Sequence, residues 1–269
     1  MLAAAGLLTA LAAAWALGGG SVASAQYPGG PEVERANPCK GARAAALLCP
    51  DLLMAPPRGM YVTRGGGKVL LHAVNDIRSR GEGPLEVRGT RNGKRTMSVR
   101  QAIYNVKGKP KLFETDGSLV FYDIPGQGPY WKYHEAARFE LWRLDGSGQR
   151  TSRVRVGPKL DYCFRDLKRT KPSKRSPKRM VYPACSQDPR KRRRTLGTSV
   201  GWSDIYPATY YQNWINVKGL KGCFDFVHRA DPDNYLFENK EGNNEGSRRV
   251  ALPPASGGAI LGCVGIPGA

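Results

Sequence analysis

Three side chains spaced by two, Tyr130, Lys132 and His134, stand in the aromatic-rich stretch GPYWKYHEAARFELW, Gly128 to Trp142. If that stretch is one extended strand, alternate side chains point the same way, and a phenol, an amine and an imidazole share one face. Such a trio offers donor atoms to a metal ion, or it simply lines a wet surface. The chain has only two other histidines, His72 and His228. Phe224, Phe226 and His228 fall on one face of a second expected strand, and a lone histidine among aromatics is more often packed than ligating. Three scattered histidines support no Ser/His/Asp arrangement. Gly126-Gln127-Gly128 is a turn and not a phosphate cradle, because no helix-forming segment follows it. Asp231-Pro232-Asp233-Asn234 lacks the glycine spacing of a calcium-binding EF-hand loop and reads as a β-turn, with Asn243 and Asn244 in the strand beyond.

The elements that must position these groups are strands. After a possible helical turn or two in Ala42–Leu48, short apolar-polar segments recur at Met60–Thr63, Lys68–Ile77, Leu85–Arg88, Ser118–Asp123, Leu160–Phe164, Ser199–Trp202, Trp214–Val217 and Cys223–Ala230. Asn92-Gly93 predicts a hairpin joining Val87–Arg91 to Thr96–Tyr104. A turn at Asp145-Gly146 returns the chain through Gln149–Val156 as the partner of the central stretch. Turns every eight to twelve residues with few credible helices predict an all-β, antiparallel, sandwich-like single domain with long loops. No internal repeat is visible.

Residues 1–25 form an apolar run ending in Ala23-Ser24-Ala25, a small-x-small cleavage site before Gln26, and are expected to be a removable signal peptide. Residues 26–49 read as an N-terminal arm and 50–269 as the domain. No later segment is apolar over the roughly 20 residues a membrane-crossing helix needs, so a secreted protein without a membrane span is expected. Six cysteines suit an oxidising compartment. The expected pairs are the local ones, Cys39 with Cys49, Cys163 with Cys185, and Cys223 with Cys263, against the alternative of free buried thiols.

The formal net charge is +20, and it is uneven. Between residues 165 and 194 thirteen lysines and arginines face only Asp166 and Asp188. With four prolines and few aliphatic residues, this segment is expected to be an exposed basic loop tied at Cys163 and Cys185. It would dock a polyanion or an acidic cell-surface partner, with binding that weakens as salt rises, or it would be a solubilising surface. Aromatic residues do not interleave with the charges, which argues against specific recognition of single-stranded nucleic acid.

Several ordered motifs then carry a resemblance: PDLLMAPPRGMYV (Pro50 to Val62), GEGPLEVRG (Gly81 to Gly89), HEAARFELW (His134 to Trp142), GPKLDYCFRD (Gly157 to Asp166), VGWSDIYPATYYQNWINVKGL (Val200 to Leu220) and ADPDNYLFENKEGNNEG (Ala230 to Gly246). Together they resemble the lysyl oxidase family in its bacterial, domain-only form. The resemblance implies a secreted, largely β amine oxidase that uses copper(II) and lysyl tyrosylquinone, a cofactor made from the protein's own lysine and tyrosine. Such an enzyme deaminates protein lysines or small primary amines to aldehydes and releases hydrogen peroxide. Motif by motif, the lysine is Lys159 and the tyrosine is Tyr206. Without the motifs, Lys159 would be an ordinary surface lysine and Tyr206, before Pro207, an ordinary turn aromatic.

In the resembling family a His-x-His-x-His run holds the copper, three neutral imidazoles suiting that ion. Here the run is Tyr130-Trp131-Lys132-Tyr133-His134, so His134 remains while Tyr130 and Lys132 occupy the other two ligand positions. To ligate at pH 7 a lysine must first lose its proton, at roughly 4 to 5 kcal/mol, and a tyrosine at about 4 kcal/mol. Two expectations follow: an amine oxidase with an altered copper site, or a pseudoenzyme, a β scaffold that performs no redox chemistry and binds partners through its basic loop.

Overall fold

The computed structural model describes residues 36–263. The expected signal peptide and residues 26–35 of the expected arm lie outside the described residues. The strands are β1 (Leu47–Leu48), β2 (Leu52–Met54), β3 (Arg58–Gly65), β4 (Lys68–Ser79), β5 (Leu85–Arg91), β6 (Thr96–Asn105), β7 (Pro110–Ile124) and β8 (Gly128–Tyr133). They continue as β9 (Ala137–Leu144), β10 (Arg150–Val156), β11 (Lys168–Arg169), β12 (Arg193–Thr198), β13 (Trp202–Tyr206), β14 (Trp214–Asn216), β15 (Gly222–Ala230) and β16 (Glu245–Leu252). Short 3₁₀ turns at Gly41–Ala46 and Ser256–Gly258 complete the elements. The fold is all-β and antiparallel, as the turn spacing predicts.

Strands β12-β5-β6-β7-β8 form one sheet with β1 on β6, and β10-β9-β15-β16 form a second. The third is built on β4, a twelve-residue strand with β3 then β2 along one edge and β14 then β13 along the other. Its alternate residues Leu71, Ala73, Asn75, Ile77 and Ser79 are all buried, and they serve two cores. Ile77 joins Val87, Val99, Leu119, Trp131, Tyr162 and Tyr206, whereas Leu71 and Ala73 join Phe139, Leu141, Phe224 and Phe226. Period-two alternation places one strand's inward face in both clusters.

Three disulfides, Cys39–Cys49, Cys163–Cys185 and Cys223–Cys263, are the expected local pairs. They suit a chain that folds in an oxidising environment. Among the described residues no helix is long and apolar enough to cross a membrane.

Some expected elements are placed differently. The central stretch is two strands in two sheets. β8 stops at Tyr133, the chain turns through Glu135 in the left-handed region (φ 54°), and β9 begins at Ala137. The turn is held from outside, because the Asp161 carboxylate accepts from the Glu135 amide at 3.3 Å. His134 therefore lies past the end of the strand that carries Tyr130 and Lys132. Of the expected strand Ser199–Trp202, Ser199–Gly201 is the turn between β12 and β13, and only Trp202 is in a strand, as the first residue of β13. Gly201 there has φ 78°, and a Cβ would sit 2.6 Å from the Lys171 carbonyl, so only glycine lets the basic loop approach. Asn243 and Asn244 lie in the turn before β16, where Asn244 Nδ2 donates to Glu238 at 2.8 Å.

Candidate functional site

Lys159 sits in a connection that both neighbouring strands grip. The Gly157 amide donates to the Phe139 carbonyl at 2.9 Å, and Tyr162 exchanges two backbone hydrogen bonds with Tyr133 at 2.8 and 3.0 Å. The lysine between them is 1% exposed. Its Nζ donates to the Asp161 carbonyl at 2.6 Å and lies 4.1, 4.5 and 4.9 Å from the ring centroids of Tyr162, Tyr206 and Tyr210.

Tyr206 ends β13, paired with Asn75 of β4. Its hydroxyl accepts from the Cys163 amide at 3.2 Å, and its ring meets Tyr162 and Tyr210 edge-on at 4.8 and 4.7 Å. The wholly buried Asn213 donates to the carbonyls of Tyr206 and Pro207, folding the 207–213 turn so that Tyr210 covers the lysine. Thus two residues 47 positions apart, drawn from separate motifs, share one closed aromatic pocket.

Two further charged side chains enter it. Lys132, 3% exposed, places Nζ 5.7 and 5.8 Å from the rings of Tyr122 and Tyr210. Burial brings its pKa down to about 8, partly offset by Asp161. Lys159 falls well below the usual lysine range, first through burial and then through the charge of Lys132. Asp204 is fully buried, neither carboxyl oxygen has a well-placed hydrogen-bond partner among the described residues, and burial pushes its pKa far up despite Arg165, Lys159 and Lys132. The Tyr206 and Tyr162 phenols are pushed well up by burial, and Tyr210 to about 12. Burial thus shifts the Lys159 amine, the Asp204 carboxyl group and the surrounding phenols each toward the uncharged form.

His134 stands at its rim. Nδ1 meets the Asp161 carboxylate at 2.7 Å, and that hydrogen bond raises the imidazole pKa. The same aspartate thus receives the lysine through its carbonyl and the histidine through its side chain. The Tyr130 hydroxyl turns away, donating to the Gln127 carbonyl at 2.9 Å. His72 stacks on Tyr61 at 4.6 Å and bonds Thr63 at 2.9 Å. His228 is fully buried against Phe139 and Phe226, its Nδ1 3.3 Å from Asn75, and its pKa is depressed to about 3 by burial. The three imidazoles occupy three separate surroundings. A copper(II) ion needs several neutral nitrogen donors about one point. The residues at the three ligand positions offer one imidazole, engaged by Asp161, a buried lysine, and a phenol that turns away, so they do not fit that ion.

Sequence reasoning reached Lys159, Tyr206 and His134, and Lys132 as the occupant of a ligand position, but missed Asp161, Tyr162, Asp204 and Tyr210. One signal was readable: Asp204 and Tyr206 are two apart on a strand and so share a face. Elsewhere, the carboxylates of Asp231, Glu238 and Glu241 lie within 4.8 Å of one another, and Asp231 caps its loop by accepting from the Tyr235 and Leu236 amides. A cavity of about 500 Å³ under the basic loop is lined by Leu48, Pro84, Tyr104, Arg175 and Tyr182, and neither Lys159 nor Tyr206 reaches it.

The basic loop is tied at Cys163–Cys185 as expected, but it has a core of its own. The buried Asp166 carboxylate accepts from the amides of Val181, Tyr182 and Ser199 at 2.9, 3.3 and 2.7 Å. Lys168 and Arg169 form β11, and Arg193 and Arg194 begin β12. Arg194 is half-buried, which removes it from the docking surface expected of the loop.

The fold and the pocket define an all-β, disulfide-bonded chain with a lysine closed in by tyrosines. No family model and no curated protein matches the sequence.

Proposed function

We propose that this chain is an exported, lysyl oxidase-like protein that keeps the lysine and tyrosine half of an amine-oxidising pocket as part of its core, and works by binding rather than by copper-dependent turnover. One observation carries the reading: where three metal-binding imidazoles would stand, a buried Lys132 faces the Lys159 amine and a single histidine is engaged by Asp161. An ammonium repels a metal cation and donates nothing to it until it loses its proton. The burial of Lys159 and Tyr206 adds to this, since a substrate amine has no open approach to the ring. Export is supported by the apolar run ending at Ala25 and by the three disulfides.

Amine oxidation is the second reading, favoured by the Lys159 Nζ lying 4.5 Å from the Tyr206 ring with its pKa depressed, since the uncharged amine is the nucleophilic form. The two separate in one experiment. Purified protein is incubated with copper(II) in air, scanned for a quinone band, assayed for peroxide with a primary amine, and mapped by peptide mass for a Lys159–Tyr206 crosslink. The binding reading expects no band, no peroxide and two unlinked peptides. A band and a crosslinked peptide that both vanish in Tyr206→Phe would overturn it.

A further inference from the structure

Two segments about a hundred residues apart are brought to one place on the surface. The turn between β5 and β6 carries Lys94 and Arg95, and the run into β12 carries Arg190, Lys191, Arg192 and Arg193, all six exposed. Arg91 joins them. Its amide donates to the Arg192 carbonyl at 2.9 Å. Its guanidinium donates to the carbonyls of Lys191 at 3.1 Å, Lys94 at 2.8 Å and Pro189, and lies 5.2 Å over the ring of Trp131. Trp131, itself fully buried, donates Nε1 to the Asp188 carbonyl at 3.0 Å. One guanidinium is thus used up on backbone oxygens, and the chain it fixes displays the other six cations, of which Arg95 also donates Nε to the Phe121 carbonyl at 3.0 Å and keeps its remaining donors outward.

Asp188 is the only acid in these two segments, paired with Arg190 at 3.5 Å and Lys191 at 3.8 Å. The exposed large apolar side chains of the described residues, Val106, Val156, Met180, Val181, Tyr211 and Leu261, all lie outside them. A protein interface is anchored by buried aromatic or aliphatic hot spots, and single-stranded nucleic acid by aromatic platforms for its bases. This face has neither. It has guanidinium forks, whose planar donors match phosphate oxygens two at a time.

We infer that the face built from residues 91–95 and 188–193 binds a linear phosphodiester polymer lacking bases, held through its repeated phosphates. The inference rests on the reading that the chain works by binding, and it names the surface and the partner. Contacts of this kind release counterions, so six of them give a steep salt dependence.

The test uses the full chain with its disulfides intact and fluorescent poly(glycerol phosphate), with heparin and poly-glutamate as competitors. Between 50 and 200 mM salt the affinity is expected to fall by roughly a few hundredfold. Lys94→Gln/Arg190→Gln/Arg192→Gln is expected to weaken binding at least tenfold and to flatten the salt slope by about two. Lys174→Gln/Lys178→Gln/Arg179→Gln, at the loop tip, is expected to change neither. Arg91→Met, which keeps all six cations but removes the clamp, is expected to weaken binding several-fold. Equal losses from the two triple variants, or no loss in Arg91→Met, would mean that charge alone is bound and would overturn the inference. Preference for heparin or poly-glutamate overturns the partner class while leaving the binding reading intact. Absence of binding to all three removes both.

Discussion

The pocket and the cationic face use the same residue type in opposite ways. Lys132 and Lys159 are at most 3% exposed, closed in by tyrosine rings, and burial lowers the hold of both amines on their protons. Lys94 and Lys191 stand in water beside arginines, on backbone that Arg91 has fixed. In the pocket, desolvation makes charge costly, and the gain comes from packing aromatic area around an amine. On the face, solvation keeps charge inexpensive, so cations accumulate with a single aspartate among them. Net charge therefore says little about where a lysine acts. Its surroundings decide whether it is a buried base or a docking group.

The largest expected effect lies in the pocket. Tyr162 is fully buried, with the lysine amine over its ring and Tyr206 against its edge. Tyr162→Ala should cost about 3 to 5 kcal/mol in urea unfolding with the disulfides intact, the range for deleting a buried aromatic ring. A loss below about 1 kcal/mol would show that the pocket is not part of the core, and the contrast with the face would collapse.

Next comes pH. The Lys132 pKa is about 8 in the folded protein against 10.5 when unperturbed. Between those values the unfolded chain binds more protons, so stability should rise with pH from about 8 to 10.5, on the order of 3 kcal/mol. Below about 8 the penalty is constant. Unfolding free energies measured across that window should show a smaller rise in Lys132→Met, with the remainder belonging to Lys159, whose pKa burial also lowers. A rise left unchanged by the substitution would assign it to groups other than Lys132.

The smallest effect sharpens the contrast most. Lys159→Met keeps the volume and removes a desolvated amine whose acceptor among the described residues is the Asp161 carbonyl, and should stabilise the fold by about 1 to 2 kcal/mol at pH 7. Lys191→Met on the face should move stability by no more than about 0.5 kcal/mol. Thermal melts of both variants decide it. Destabilisation by Lys159→Met would mean that this ammonium stays charged as the partner of Asp204.

Local pattern in the sequence was enough for the all-β class, the Asn92-Gly93 hairpin, the return of β10 along β9, and the three neighbouring cysteine pairs. Each depends on residues within a few turns of one another, where alternation, turn chemistry and short loop closure act directly. The same local signals failed at His134, since nothing in HEAARF announces that a carboxylate 26 residues later will hold a left-handed Glu135 and end the strand there. They also could not bring Lys132 and Asp204 to Lys159, or show that Arg91 would be consumed in presenting Arg190 to Arg193. Those contacts are set by strand register and by how one sheet covers another, and both are settled only when distant segments pack together.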